Sequence, residues 1–117
     1  MTTRFDRDTA VRPLGDGAWE GRIDRGWWVI RGPNGGYVAA IVLRALRAAV
    51  GDPGRTPRSL TVQYLAPPRE GTVEIATTIE RHGRQLTFAS ARLVQEDRLL
   101  ATALAAFAAP IAVGLSF

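Results

Sequence analysis

Cysteine is absent from this sequence, and so is lysine. Without cysteine the chain has no disulfides, no thiolate metal ligands and no cysteine nucleophile. Histidine occurs once, as His82, which excludes a metal site built from several histidines. We therefore expect no metal site and no cofactor.

Clustered positive charge is also missing. All fifteen basic residues are arginines, and they are interleaved with eleven acidic residues. A nucleic-acid-binding domain usually carries its basic residues on one stripe or face, so we expect no nucleic-acid partner despite the net charge of +4. Individual arginines remain candidates for binding the phosphates of an anionic ligand.

Long hydrophobic runs of the kind that enter membranes are absent as well. The longest apolar stretches are interrupted by Arg44 and Arg47 or form a short alanine-rich tail that contains Pro110. The N-terminal residues include acids and lack the apolar core of a signal peptide. We expect a cytoplasmic protein without a membrane partner, with one domain at residues 1–110 and a linker or tail at residues 111–117.

The apolar stretch between Asn34 and Gly51 predicts a long helix of which most sides are buried. Asn34 is a favourable N-cap residue, and the sequence Gly51-Asp-Pro predicts the end of the helix. Its polar stripe is limited essentially to Arg44 and Arg47. A helix with so little polar surface should be covered by other elements.

Alternation of apolar and polar residues predicts strands around this helix. We interpret His82 and Gly83 as the two-residue loop of a hairpin. The pattern favours an α+β fold in which a curved antiparallel sheet, with a meander of four strands after the helix, wraps one long central helix. Its open edges favour either self-pairing or pairing with a second copy. The predicted strands are Ala18–Asp24, Ser59–Leu65, Thr72–Arg81, Gln85–Gln95 and Leu99–Phe107.

Three segments of the sequence resemble the N-terminal half of type II acyl-CoA thioesterases. They are GPNGGYVAA at the helix start, RSLTVQYLAPPREG in the following strand, and IERHGRQLTFASARLVQEDRLLATALAAF in the later strands. The resemblance implies a single hotdog fold, in which a curved antiparallel sheet wraps one helix. It also implies that this hotdog is paired with a second one, either another copy or a C-terminal repeat, to hydrolyse acyl-CoA.

In the family that the sequence resembles, a helix N-terminus, a helix Asp, a strand Ser or Thr and a Gln form the site, and they lie in the C-terminal repeat. Carried onto this sequence, the Asp falls between Asn34 and Gly36, the hydroxyl falls at Thr61 and the Gln falls near Ala106. Only the hydroxyl matches in type, and no acid occurs from residue 25 to residue 51. The catalytic candidates are Asn34, Gly36 and Thr61, with the carboxylate base not found in this chain.

The remaining candidates would bind the substrate. Gly35 allows a carbonyl to approach the helix amides closely, although the Asn-Gly-Gly sequence also suits a plain helix cap. Trp28 would line the acyl tunnel, but core packing or dimer burial explains it equally well. The full substrate-binding set is Gly35, Tyr37 and Trp28, with Arg58, Arg81 and Arg84 for the CoA phosphates.

Two functions therefore remain open. The first is an acyl-CoA thioesterase of fatty acid metabolism that is active only when paired with a second hotdog. The second is a non-catalytic hotdog that binds acyl-CoA or serves as a dimerisation module. A third, nucleic-acid binding, has only the net charge in its favour.

Overall fold

A computed structural model describes residues 3–24, 28–29, 32–33 and 35–110 of the chain. Two helices and eight strands are assigned within these ranges. In chain order they are α1 (Arg4–Asp8), β1 (Arg12–Gly15), β2 (Ala18–Ile23), β3 (Trp28–Val29), β4 (Gly32–Pro33), α2 (Gly35–Val50), β5 (Thr56–Tyr64), β6 (Gly71–His82), β7 (Leu86–Gln95) and β8 (Arg98–Ala108).

Six of the strands form one antiparallel sheet in the order β1-β2-β6-β7-β8-β5. Strands β3 and β4 form a separate two-stranded ribbon just before α2. The long helix α2 packs on one face of the large sheet. The predicted α+β arrangement of a single hotdog is therefore confirmed.

Helix α2 begins and ends close to the predicted residues. It starts at Gly35, immediately after Asn34, and ends at Val50. Gly51 has a φ of +70°, and its N–H donates to the carbonyl of Arg47 at 3.0 Å. This left-handed glycine is the expected C-terminal signal.

The burial of α2 differs from the prediction, because the helix is buried on one face rather than on most sides. The opposite face is more accessible, with Gly36 and Arg47 exposed and Leu43 half-buried. The sheet covers α2 from one side only. The buried residues are Tyr37, Val38, Ile41, Val42, Ala45 and Leu46.

Small side chains bring the helix close to the sheet. A β-carbon added to Gly21 of β2 would lie 3.0 Å from Cγ2 of Ile41 on α2, so a larger residue would push the two elements apart. On β7 and β8 the buried face is largely alanine, which leaves room for the larger helix side chains. The buried alanines of these strands are Ala89, Ala91, Ala101, Ala103 and Ala105.

The four later strands do not form the predicted simple meander. Strand β5 lies at the far edge of the sheet beside β8 rather than next to β6. The chain leaves β5 through Pro67 and Pro68, which cannot donate ladder hydrogen bonds. The N–H groups of Leu65 and Ala66 instead donate to the carbonyl of Leu100 on β8.

His82 also differs from the prediction, because it belongs to a strand and not to the hairpin loop. Strand β6 continues through His82, which pairs with Thr87 on β7. Its Nδ1 lies 2.9 Å from the Thr87 hydroxyl. Gly83 begins the loop, and its N–H donates to the carbonyl of Leu86 at 2.7 Å.

The N-terminal residues form structure that the periodicity analysis missed. Thr3 and Asp6 make a capping box at the start of α1, in which each side chain accepts from the other residue's backbone N–H. Strand β1 then pairs with β2. No helix in the described ranges is long and apolar enough to cross a membrane.

Candidate functional site

The N-terminal end of α2 is the first part of the candidate site. Gly35 and Gly36 begin the helix and are exposed. The first turn contains no acidic residue. Backbone N–H groups of a first turn have no partner within the helix and carry the positive end of its dipole. This end of α2 therefore suits an anion or a polarised carbonyl oxygen.

Tyr64 connects this helix end to the edge strand β5. Its hydroxyl donates to the carbonyl of Gly35 at 2.7 Å, and 52% of the residue is exposed. Burial of part of the ring raises the pKa of Tyr64 above the usual value for tyrosine. The sequence analysis did not single out Tyr64. Along β5 it follows Leu60 and Val62 at every second position, and because those two residues pack on the core, this spacing places Tyr64 on the same face of the strand.

Thr61 lies on the opposite face of β5. It pairs with Leu104 of β8, which is 54% exposed, whereas the next residue, Ala103, is buried. Residues paired across antiparallel strands share a face. The structure therefore does not bring the Thr61 hydroxyl to the start of α2 in this chain. Ala106, at the expected glutamine position, occupies the same outer face opposite Ser59.

Tyr37 is a core residue, although the sequence analysis places it among the substrate-binding candidates. It is 2% exposed. Its hydroxyl accepts from the N–H of Asp24 at 3.0 Å and lies 2.9 Å from the carbonyl of Asp8 and 3.0 Å from that of Arg22. Burial is the largest influence on this hydroxyl and raises the pKa of Tyr37. The side chain joins α2 to the N-terminal segment and to β2.

Two further candidates, Asn34 and Trp28, precede α2 in the chain. Asn34 lies outside the described residues, directly before the first residue of α2. Trp28 is described through its backbone, which pairs with Pro33 in the ribbon before α2. The roles of both residues stay predictions.

The three arginines predicted for the CoA phosphates are all exposed, and they lie on three different parts of the chain. Arg81 on β6 pairs with Phe88 on β7, whereas Arg58 lies on β5 at the sheet edge. Strands β7 and β8 separate the two, which corresponds to about 14 Å at the usual strand spacing. Arg84 lies in the β6–β7 loop, and its carbonyl accepts from Arg55 at 2.9 Å.

A different group of arginines meets at the other end of α2. Arg44, Arg47 and Arg55 line a cleft of about 500 Å³. We call it the arginine cleft and define it by these three residues. The sequence analysis treated Arg44 and Arg47 as a surface stripe and did not consider Arg55, which follows the helix stop. Within the described ranges no group of three or more His, Cys, Asp or Glu side chains could hold a metal ion.

Comparison with known proteins identifies a family. Residues 24–108 match the model of the acyl-CoA thioesterase N-terminal domain. Uncharacterised proteins of Mycobacterium tuberculosis and Mycobacterium bovis are each 30% identical over 109 residues, which cover 84% of this chain and 38% of the relative. This chain is therefore similar to a little over a third of those proteins.

Two crystal structures resemble the chain closely. A proposed thioesterase II from Thermobifida fusca is 28% identical with a TM-score of 0.87, over 94% of this chain and 41% of that protein. A hotdog protein of unknown function from Alicyclobacillus acidocaldarius is 28% identical with a TM-score of 0.84, over 96% of this chain and 42% of that protein. The chain thus spans less than half of the length of either structure.

Proposed function

We infer the function of this chain from its family, because the chain belongs to the acyl-CoA thioesterase N-terminal domains. Membership in this family supports a thioesterase-like function for this hotdog chain. We propose the finer statement that the chain is one half of a fatty acyl-CoA thioesterase. It binds the thioester, and a second hotdog completes the site for hydrolysis.

The observation that carries this proposal is the start of α2. Hydrolysis of a thioester builds negative charge on the carbonyl oxygen, and backbone N–H groups at a helix N-terminus stabilise such charge. Gly35 and Gly36 are exposed there and bear no side chain that would keep a carbonyl away. The hydrogen bond from Tyr64 to the Gly35 carbonyl ties this helix end to the edge strand.

The chemistry also needs a base that this part of the chain does not supply. Water must lose a proton as it attacks the carbonyl carbon, the C–S bond then breaks, and the CoA sulfur takes up a proton. The sequence has no Asp or Glu from residue 25 to residue 51, and Asn34 cannot accept a proton as a carboxylate does. We therefore assign the base to the second hotdog.

Strand β5 is the edge at which we expect the second hotdog to pair. Among the described strands it is hydrogen-bonded to β8 only, so one side of its backbone is open for another strand. Tyr64 and Leu65, at the end of this edge, are 52% and 57% exposed. The partner is either a second copy of this chain or a C-terminal repeat. The relatives are more than twice as long as the part that this chain matches, which is long enough for such a repeat.

The other candidates have secondary places in the proposal. Thr61 faces away from the start of α2 and would act only in a site shared with the second hotdog. Trp28, seven residues before the helix start, would line the acyl tunnel. Arg58, Arg81 and Arg84 would contact the outer part of CoA. Tyr37 has a structural role here, because its hydroxyl is occupied by backbone groups.

A non-catalytic acyl-CoA-binding or dimerisation module is the second candidate function. The missing carboxylate near α2 favours it, because the carbonyl-binding geometry would remain while the base is absent. Both functions use the same helix end, so binding alone does not separate them.

Hydrolysis measured with and without a partner tests the proposal. The chain would be assayed with a series of acyl-CoA thioesters, alone and mixed with a separately expressed C-terminal hotdog from a full-length relative, while light scattering reports its assembly state. We expect a paired assembly, with turnover when the second hotdog is present. Turnover by a stable monomer would contradict the pairing requirement. No turnover in either case, with a melting temperature raised by acyl-CoA, would favour the binding module.

A further inference from the structure

The arginine cleft lies at the end of α2 that the proposed reaction does not use. It is lined by Arg44, Arg47 and Arg55, with Asp52 and the small apolar residues Ala48 and Pro53 completing the wall. Arg47 is eleven residues from Gly36 along the helix, about 16 Å at the rise of an α-helix. A group bound in the cleft is thus separate from a carbonyl bound at the helix start.

The cleft carries positive charge that the described residues do not neutralise. The side chain of Arg47 is exposed and has no hydrogen-bond or ion-pair partner among the described residues. Arg44 donates to the hydroxyl of Thr9 at 3.3 Å, which is a neutral partner. Among the described residues that line the cleft, Asp52 is the single acidic one, against three arginines.

The acidic residue is itself committed to other groups. Its Oδ1 accepts from the N–H of Gly54 at 2.9 Å, and its Oδ2 lies 3.4 Å from Nε of Arg55. Pairing Asp52 with Arg55 leaves the charges of Arg44 and Arg47 uncompensated in the cleft. Arg47 is the basic residue in the last turn of α2, where its charge complements the negative end of the helix dipole. The cleft also holds Arg44, which lies outside that turn.

Arg55 is held rigidly in the wall of the cleft. Its side chain is 9% exposed, and it donates to the buried hydroxyl of Thr87 at 3.1 Å and to the carbonyl of Arg84 at 2.9 Å. Its Nε is buried without a hydrogen bond among the described residues. A guanidinium fixed by such bonds loses little conformational freedom when an anion binds beside it.

We propose that the arginine cleft binds a phosphate or diphosphate group of an organic ligand. Guanidinium groups donate pairs of hydrogen bonds to phosphate oxygens, and the two uncompensated arginines match a dianion. Ala48 and Pro53 provide apolar contact for the organic part beside the phosphate. The proposal does not depend on the proposed function, because CoA is only one of the phosphate esters that would fit this chemistry.

Titration calorimetry at low ionic strength tests this site with defined probes. The probes are pyrophosphate, adenosine 3′,5′-bisphosphate and CoA. We expect saturable binding of pyrophosphate and the bisphosphate by the wild-type chain, with affinity that falls as salt is added. In Arg47→Gln the affinity should fall at least tenfold, and the melting temperature should fall only slightly, because the exposed Arg47 side chain has no partner among the described residues and stabilises the fold only through the helix dipole.

Arg92→Gln is the matched control. Arg92 is exposed on β7, away from the cleft, and the substitution removes the same charge. Binding that is absent in the wild type, or an equal loss in both variants, would overturn the proposal because it would indicate diffuse charge only. Binding of CoA as tight as that of the bisphosphate identifies CoA as the source of the phosphate. If pyrophosphate and the bisphosphate bind but CoA does not, the ligand is a different phosphate ester. The thioesterase proposal is then tested separately, by the hydrolysis assay.

Discussion

The two ends of helix α2 are electropositive for different reasons. At the start, the first turn begins with Gly35 and Gly36, carries the positive end of the helix dipole and contains no charged side chain. At the end, where the helix dipole is negative, three arginines surround a cleft. The first end suits a carbonyl oxygen that gains charge during a reaction, and the second suits a group that is always charged. One element thus offers two kinds of anion recognition.

The two ends also differ in what holds them. The start of α2 is tied to the N-terminal segment and β2 through Tyr37, and to β5 through Tyr64. The arginine cleft depends on Arg55, which is anchored by Thr87 of β7. Substitutions at these anchors should therefore affect the two ends separately.

The largest stability effect should come from Thr87→Val, which breaks the support of the cleft. Thr87 is fully buried, and its hydroxyl contacts both Arg55 and His82. Losing a buried hydrogen bond to a charged group should lower the free energy of unfolding by about 2–3 kcal/mol. Urea denaturation would measure this, with the exposed Thr78→Val on β6 as a control. A loss as small as that of the control would show that Arg55 does not need this anchor.

Tyr37→Phe should break the support of the other end with a smaller effect. The substitution keeps the ring and removes the hydroxyl, which leaves the N–H of Asp24 without this acceptor. We expect the free energy of unfolding to fall by about 1–2 kcal/mol. Hydrogen exchange should locate the change in α1 and β2, with phosphate binding at the arginine cleft unchanged. Equal changes at both ends would contradict their independence.

Tyr64→Phe should have a still smaller effect on stability. Among the described residues its hydroxyl makes one hydrogen bond, to the Gly35 carbonyl, and the residue is more than half exposed. A loss of about 0.5–1 kcal/mol is expected, together with weaker acyl-CoA binding and unchanged binding of pyrophosphate. If pyrophosphate binding fell instead, the division of roles between the two helix ends would be wrong.

The smallest effect on stability should appear at alkaline pH. It is confined to that range because tyrosine ionises only there. Burial raises the pKa of Tyr37 and of Tyr64 in the folded state, so the unfolded chain loses these protons first as the pH rises past about 10. The corresponding stability is fully present below that pH and declines above it. Thermal melts from pH 8 to pH 11 should show a weaker decline in Tyr37→Phe. An equally steep decline in that variant would assign the effect to other groups.

Local sequence signals predicted the parts of the fold that depend on local chemistry. The Asn34 and Gly51 signals marked the limits of α2, and alternation located the strands to within a few residues. Gly83 was placed correctly in a loop, but the strand continued through His82 because Thr87 pairs with it across the hairpin.

The contacts that build the two helix ends could not be predicted in that way. Tyr64 and Gly35 are 29 residues apart, and Arg55 and Thr87 are 32 residues apart. Both contacts depend on β5 crossing to the far edge of the sheet, which no local pattern specifies. Thr61 lies on this same strand. The alternation of residues along β5 could be predicted from the sequence, but the strand that pairs with β5 could not, so the outward position of Thr61 was not predicted.

Turnover of the paired assembly with a blocked helix start tests the central claim most directly. Gly36→Val would be compared with wild type and with Ala76→Val, which places the same valine side chain at an exposed position on β6. If the amides at the start of α2 polarise the thioester, kcat/KM for acyl-CoA hydrolysis should fall about 100-fold in Gly36→Val while assembly and melting temperature are retained. Turnover equal to that of Ala76→Val in the folded, paired protein would remove this helix end from the mechanism.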